Sequence, residues 1–353
     1  MQIFNDIPLS GYTTLGLGGP AKALVIASTV ADLTTALKDA AQQGLPVLIL
    51  GGGSNIVVPD AGFDGLVVKM GIKGRQMQFE GGDVLVHCGA GEDWDAFVRF
   101  VVGQGLQGIE CLSGIPGSVG ATPIQNVGAY GQEVGERIVT VAAIDRQSLE
   151  PVTISHDECG FGYRTSRFKT VDAGTYVITG VTFRLSMGGS PVLHYEELRK
   201  FIAETTRMNS IPPGRGSLET IREAVIALRK KKSMVLDPAD PNTKSVGSFF
   251  TNPVVSPEKF AAIGSAWKGE GAVPSFPAEG GVKIPAAWLI EQAGFPKGYR
   301  MGGVGISTNH SLALINAGGT TEELLKLAET IRARVRGKFG VDLEREPVVV
   351  GQA

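Results

Sequence analysis

Gly51-Gly-Gly-Ser-Asn-Ile-Val-Val58 is the stretch that decides how this chain folds. It follows a short apolar strand, Pro46-Val-Leu-Ile-Leu50. After it come Ile56 to Val58, a Pro-Asp-Ala-Gly turn and Leu66 to Lys69, β-branched and apolar residues that read as further strand, not helix. A glycine loop that leads into a strand is not a P-loop, which also needs a Lys-Ser/Thr pair, nor a dinucleotide fingerprint, which must open a helix. Gly16-Leu-Gly-Gly19 fails the same test, because an extended Ala-Leu-Val-Ile segment follows it. Successive N–H groups in Gly51 to Asn55 can still form a concave nest for a pyrophosphate. A tight turn between core strands is the competing reading of this loop taken alone.

A second loop, Ser113 to Gly131, fits neither helical nor strand periodicity. Its glycines allow backbone to pass close to a flat or anionic ligand, Pro116 and Pro123 stiffen the path, and Gln125 and Asn126 offer amides to the edge of a heterocycle. Ile115, Val119, Ile124 and Val127 argue against disorder. It reads as a binding loop.

Around these loops the chain alternates strands and helices. Ala23 to Ala27, Val84 to Cys88, Val139 to Ile144, Tyr176 to Leu185 and Ser311 to Asn316 are expected strands, and Val341 to Val350 a final strand with Glu344 and Glu346 on one face. Thr29 with Asp32, and Thr320 with Glu323, are capping boxes that open helices; a third amphipathic helix carries Trp94, Phe97, Val98 and Val101. Helices are also expected after Tyr195, from Leu218 to Lys232 with a basic last turn, and from Val282 to Gly294. Met187 to Pro191 breaks a strand, 211 to 216 reads as a linker, and Lys244 to Pro253 as a second irregular loop. Phe161 to Lys169 places Arg164, Arg167 and Lys169 beside aromatic rings; most such arginines are solvated, and holding a carboxylate is the alternative reading of this segment taken alone.

With 353 residues the chain can form two or three cored domains. A formal charge of −2 with only 19% charged residues offers no field for nucleic acid or a membrane surface, so a small-molecule ligand is expected. The three cysteines and four histidines lack ligand spacing, which predicts neither disulfides nor a metal site. There is no secretion signal and no apolar run of about 18 residues, so a cytoplasmic protein is expected. Ser248 lacks a Gly-x-Ser-x-Gly elbow and a neighbouring histidine, which argues against a hydrolase nucleophile.

Six motifs in order along nearly the whole chain carry a family resemblance: Thr14-Leu-Gly-Leu-Gly-Gly-Pro-Ala21, Gly51 to Asn55, Gly114 to Gly120 with Gln125 to Gly131, Gly162-Tyr-Arg164, Gly247-Ser-Phe-Phe250 and Leu343-Glu-Arg-Glu346. The chain resembles the UDP-N-acetylenolpyruvoylglucosamine reductase family, in its longer subtype. The resemblance implies an α+β protein, with an FAD-binding fold of the vanillyl-alcohol-oxidase type made of two α/β subdomains (1–70 and 71–216). A smaller α/β substrate-binding domain (217–318) follows, and a C-terminal helix and strand (319–353) return to the FAD-binding part. It implies non-covalent FAD, NADPH as hydride donor and a monomer.

Carried over by position, the resemblance assigns Gly51, Gly52, Gly53, Ser54 and Asn55 to the FAD pyrophosphate. Ser113, Gly114, Ile115, Gly117, Gly120, Gln125, Asn126 and Gly128 go to the flavin. Tyr130, Tyr195, Asn252 and Gln292 are assigned to substrate, with Tyr195 the tyrosine that closes over the uridine diphosphate. Arg164 and Glu346 are assigned to enolate stabilisation and Ser248 to proton donation. Two positions depart from the family pattern: Met234 falls where a substrate lysine is expected, leaving Lys232 as a candidate, and Phe276 stands in place of a tyrosine. A flavin oxidase of the same fold, which commonly tethers FAD through a histidine at the position of Asn55, and a non-catalytic flavin or nucleotide module are the rival readings.

Overall fold

A computed structural model of the chain describes residues 2–188, 191, 193–206 and 214–351. They form two compact units. The first contains Met1–Ile7, Ala21–Gly53 and Asp64–Val235; the second contains Pro8–Pro20, Ser54–Phe63 and Leu236–Ala353.

In the first unit a four-stranded sheet runs in the order Ile3–Pro8, Pro20–Ala27, Phe63–Met70, Val47–Leu50. The last two strands pair in parallel, Val47 opposite Leu66. Helix Val30–Gln42, which connects Pro20–Ala27 to Val47–Leu50, opens with the expected capping box: the Thr29 side chain accepts from Asp32 N–H, and the Asp32 carboxylate accepts from Thr29 N–H. A second sheet runs Pro151–Ser155, Ile138–Asp145, Tyr176–Met187, Asp83–Gly89, Arg75–Glu80, all neighbours antiparallel. Helix Trp94–Gly103, capped by Asp93, buries its apolar face; Trp94, Phe97 and Phe183 of the central strand lie with ring centroids 5.1 to 6.0 Å apart. Helices Glu196–Thr206 and Arg215–Lys231 share a smaller core of Leu198, Ile202, Ile221, Val225 and Leu228.

In the second unit the sheet Ser245–Ser248, Ala313–Asn316, Val304–Ile306, Arg300–Met301 packs with the apolar stripe of the last helix, Thr321–Phe339, through Leu324, Leu327, Ile331 and Val335. That helix also begins with the expected capping box, and its first two free N–H groups donate to the Asp60 carboxylate, Thr321 N at 2.9 Å and Glu322 N at 2.9 Å. The turn after the glycine loop is thereby anchored on a helix N-terminus, where the dipole favours an anion. Residues Ile56–Val57 pair in parallel with Val348–Val349.

Several expectations change. The segment Lys244 to Pro253 is not irregular throughout, since Ser245–Ser248 forms a strand. The last strand is confined to Val348–Val349, because Arg345 makes an isolated bridge to Phe250 and the chain bends at Pro347. Val282 to Gly294 divides into a strand, Gly281–Lys283, and a helix, Ala286–Gln292, separated by Pro285. Helix Arg215–Lys231 belongs to the first unit, which continues to Val235, whereas the substrate-binding domain was expected to open at 217. Residues 189 and 190 of the expected break, and 211–213 of the expected linker, lie outside the described residues.

Asp60→Ala is expected to lower the stability of the second unit by about 1 to 2 kcal/mol, the usual cost of a lost helix cap. Chemical unfolding should show an earlier transition, and Asp60→Asn should recover part of the loss.

Candidate active site

The first unit holds most of the predicted cofactor residues in two loops that touch. A Cβ on Gly51 would stand 2.5 Å from Ser118 Oγ, and one on Gly52 would stand 2.5 Å from Gly117 Cα and 2.8 Å from its carbonyl carbon. At Gly52 backbone therefore packs on backbone, which only glycine permits, whereas Gly51 faces the Ser118 side chain. Lys69 Nζ donates to the Gly51 carbonyl, and burial, with Lys73 nearby, lowers the pKa of that amine. Gly53 has a φ of 68°.

The second loop is strapped to the residues just before helix Trp94–Gly103. Trp94 N donates to Gly117 O at 3.1 Å, Val119 N to Glu92 O at 2.9 Å, and Gly120 N to Ala90 O at 2.9 Å. Gly120 leaves no room for a side chain, since its Cβ would lie 2.5 Å from that of Ala90. Ser113, fully buried, donates its hydroxyl to Glu110 O at 2.6 Å, and Gly114 N donates to Asp95 Oδ1 at 2.6 Å. Asp95 also receives a bidentate Arg222, at 2.6 and 2.7 Å. Burial works to raise the Asp95 pKa, but the Arg222 guanidinium and the Gly114 amide outweigh it and hold the carboxyl below its usual range.

Asn126 is 2% exposed and Gly128 begins a hairpin, Gly128–Ala129 with Gln132–Glu133. Its two-residue turn is Tyr130 at φ 50° and Gly131 at φ 82°, the left-handed pair of a type I′ hairpin. The Tyr130 ring meets Tyr195 edge-on at 5.4 Å, and Lys232 Nζ lies 5.9 Å from its centroid while pairing with Glu197 at 2.9 Å. Burial pushes the Tyr130 hydroxyl up to about 12. Arg164, at φ 53°, donates from Nη2 to Gly128 O at 2.8 Å and lies 5.6 Å from the Tyr163 ring centroid. Predicted flavin, catalytic and substrate residues are thus joined within this unit.

The second unit collects the others. Gly51 to Gly53 fall in the first unit, Ser54 and Asn55 in this one. Asn55 Nδ2 donates to Glu346 O at 3.3 Å, and Val348 N donates to Asn55 O at 3.0 Å. Glu346 N donates to Phe249 O at 3.0 Å, so the backbone holds Glu346 beside the residue after Ser248. Ser248 ends its strand across an irregular register, Ser245 opposite Ile315 and Ser248 opposite Ala313, with Gly247 between them at φ 74°. One extra residue on this strand re-aims the serine. Asn252 Oδ1 accepts from Ala286 N at 2.9 Å and so caps the helix that carries Gln292. Phe276 is exposed.

One buried cation has no reading in the sequence beyond a basic helix end. Arg229 is 8% exposed, beside Gly114, and burial pushes its pKa down to about 10. Its Nη2 donates to Met234 O at 2.8 Å, and among the described residues its Nε has no partner. Sequence reasoning missed it because burial, not spacing, distinguishes it from Lys230 to Lys232. Side-chain-free loops, a left-handed Gly53 and a buried guanidinium that calls for an acceptor fit an anionic, planar cofactor such as FAD.

Residues 21–147 match the FAD binding domain family, and residues 238–350 match the family described as the UDP-N-acetylenolpyruvoylglucosamine reductase C-terminal domain. The chain is 46% identical to the UDP-N-acetylenolpyruvoylglucosamine reductase of Thermobifida fusca, covering 98% of this chain and 97% of that one. The chain belongs to this family. The reductase of Streptomyces coelicolor is 48% identical over 100% of the chain and 91% of its own length. The solved UDP-N-acetylenolpyruvylglucosamine reductase of Thermus caldophilus aligns with a TM-score of 0.67 at 25% identity, over 99% of both chains. The expected family, the FAD-dependent oxidoreductase and the α+β fold with an FAD-binding part are borne out. Among the described residues no helix is long and apolar enough to cross a membrane.

Gly52→Val should drive the two glycine loops apart, because the nearest obstacle is Gly117 backbone. Flavin content per folded chain is expected to fall, and the apo-protein should melt earlier as well. For Asp95, the depressed folded-state pKa means its stabilisation is full above the unfolded value of about 3.9 and is lost as pH falls through the folded value. The stability gap between the native protein and Asp95→Asn should therefore narrow as unfolding is measured at pH values below about 4.

Proposed function

We propose that this chain reduces the enolpyruvyl ether of UDP-N-acetylglucosamine-enolpyruvate to UDP-N-acetylmuramate, with NADPH as reductant, as a cytoplasmic monomer that binds neither nucleic acid nor membrane. FAD, when bound, would supply the hydride-transfer chemistry that links NADPH to the enol ether. The loops at Gly51 to Asn55 and Ser113 to Gly128 hold the cofactor. The FAD-binding part extends through Val235, where the first unit ends, and the substrate-binding part begins after it.

Hydride addition leaves negative charge on the adjacent carbon and its carboxylate. Arg164 stabilises that charge as a cation fixed by its bond to Gly128. Glu346 takes part in stabilising that charge, and Ser248, re-aimed by its register shift, gives the proton to carbon. Tyr130, Tyr195, Asn252 and Gln292 hold the substrate; Lys232, next to Tyr130, is the candidate for a phosphate. The observation that carries this assignment is that Glu346 and the Ser248 segment are bonded backbone to backbone. That arrangement brings together two segments about a hundred residues apart in the chain.

The purified protein should be yellow, bleach with NADPH and recover its colour with the enolpyruvyl substrate. Failure of the last step alone would remove the substrate from the proposal. Ser248→Ala should hold FAD and be reduced by NADPH at a near-normal rate, yet stall in reoxidation; Ser248→Cys should keep more activity. Arg164→Ala should lose about 10²-fold or more in kcat, by analogy with lost oxyanion donors. Rapid-mixing absorbance follows each half separately, and equal slowing of both would count against these roles.

A further inference from the structure

Arg164 lies in a four-residue turn whose ends bond to each other: Gly162 N donates to Thr165 O at 3.1 Å and Thr165 N to Gly162 O at 3.2 Å. The turn places Arg164 in the left-handed region, φ 53°, which costs a long side chain about 1 kcal/mol or more and persists only where surroundings hold it. Lys169 Nζ donates to the Arg164 carbonyl at 3.1 Å, and one buried amide fastens the start of the turn. Asn126 Nδ2 donates to Gly162 O at 3.0 Å and to Glu133 Oε2 at 2.6 Å, while its Oδ1 accepts from Gly135 N at 2.9 Å.

Both N–H donors of Asn126 are therefore engaged inside the protein, and neither remains for a flavin edge. Glu133 sits on the hairpin strand that pairs with Gly128, the residue whose carbonyl receives the Arg164 guanidinium. The hairpin region thus meets the arginine's turn twice, at the Gly162 carbonyl by way of Asn126 and at the Arg164 side chain through Gly128.

We infer that Asn126 and Glu133 are positioning residues for Arg164, acting through the Gly162 carbonyl, and that Asn126 is not a direct flavin ligand. This rests on the proposed role of Arg164. Loss of the clamp frees the turn to tilt, and a displacement of about 1 Å at a charge-stabilising group costs on the order of 10²-fold in rate.

The experiment is a double-mutant cycle read by half-reaction. Glu133→Ala is expected to slow flavin reoxidation by the enolpyruvyl substrate about 10-fold or more, with reduction by NADPH within about twofold and FAD content stoichiometric. Glu133→Gln, which keeps an acceptor for the Asn126 amide, should recover most of the rate. Added to Arg164→Ala, Glu133→Ala should slow reoxidation by less than about twofold more, because the group it positions is gone. Asn126→Asp, an isosteric change that removes the donors, serves the same cycle if Glu133→Ala does not fold. Effects that multiply in the double variant, or a loss of FAD with normal rates per bound flavin, would overturn the clamp. If Arg164→Ala alone reoxidises at the native rate, the reading of Arg164 falls and the clamp with it. If Arg164→Ala is slow and the clamp variants are not, only the clamp falls.

Discussion

Contact between Gly52 and Gly117 is the constraint on which the first unit's cofactor loops depend. With a Cβ position 2.5 Å from the opposing Cα, no side chain fits, and the two loops meet as bare backbone. The second loop cannot move to relieve this, because three backbone bonds fasten it to Ala90, Glu92 and Trp94 and Asp95 holds the Gly114 amide. Trp94 is itself fixed in the aromatic core between helix and sheet. The hydrophobic core, to which Leu112 just before the loop and Val119 within it contribute, thereby sets the position of this binding loop.

Part of the polar interior of this region forms a connected network. Glu110 is 1% exposed, and its carboxylate accepts from Gly108 N at 2.6 Å and from Gln132 Nε2 at 2.9 Å. Gln132 Oε1 in turn accepts from Cys111 N at 2.8 Å. Such a network ties the start of the loop to the hairpin at its end, and unsatisfied members would each cost about 1 to 3 kcal/mol. Several residues expected to touch the flavin, Ser113, Gly114, Gly120 and Asn126, have polar or steric roles within the loop itself. Their identity is set at least in part by the shape of the loop.

Much of this was legible along the chain. The helices opened by Thr29 and Thr320 were readable because a capping box is local, three residues wide, and needs no distant partner. The strand after Gly51 to Asn55 was readable from β-branched residues, and it was enough to exclude two common nucleotide motifs. The short strand Ser245–Ser248 was not, because its pairing with Ala313–Asn316 and its irregular register exist only once residues far apart in sequence meet. The final segment misled for the same reason: alternating residues from Val341 onward suggested a long strand, while Pro347 and an isolated bridge to Phe250 limit it to two residues.

Helices, strands and the two glycine loops could be read along the chain, because periodicity, capping and turn chemistry are properties of neighbours; the family, its fold class and the candidate residues followed from the resemblance that six ordered motifs carry. It takes the folded chain to bring Gly52 onto Gly117, to bury Arg229 alone among its basic neighbours, and to commit the Asn126 amide to Glu133 and Gly162. These depend on burial and on hydrogen bonds between segments tens of residues apart. A side chain's partners are settled when the chain closes on itself, and the same asparagine reads as a flavin ligand or as a clamp until it does.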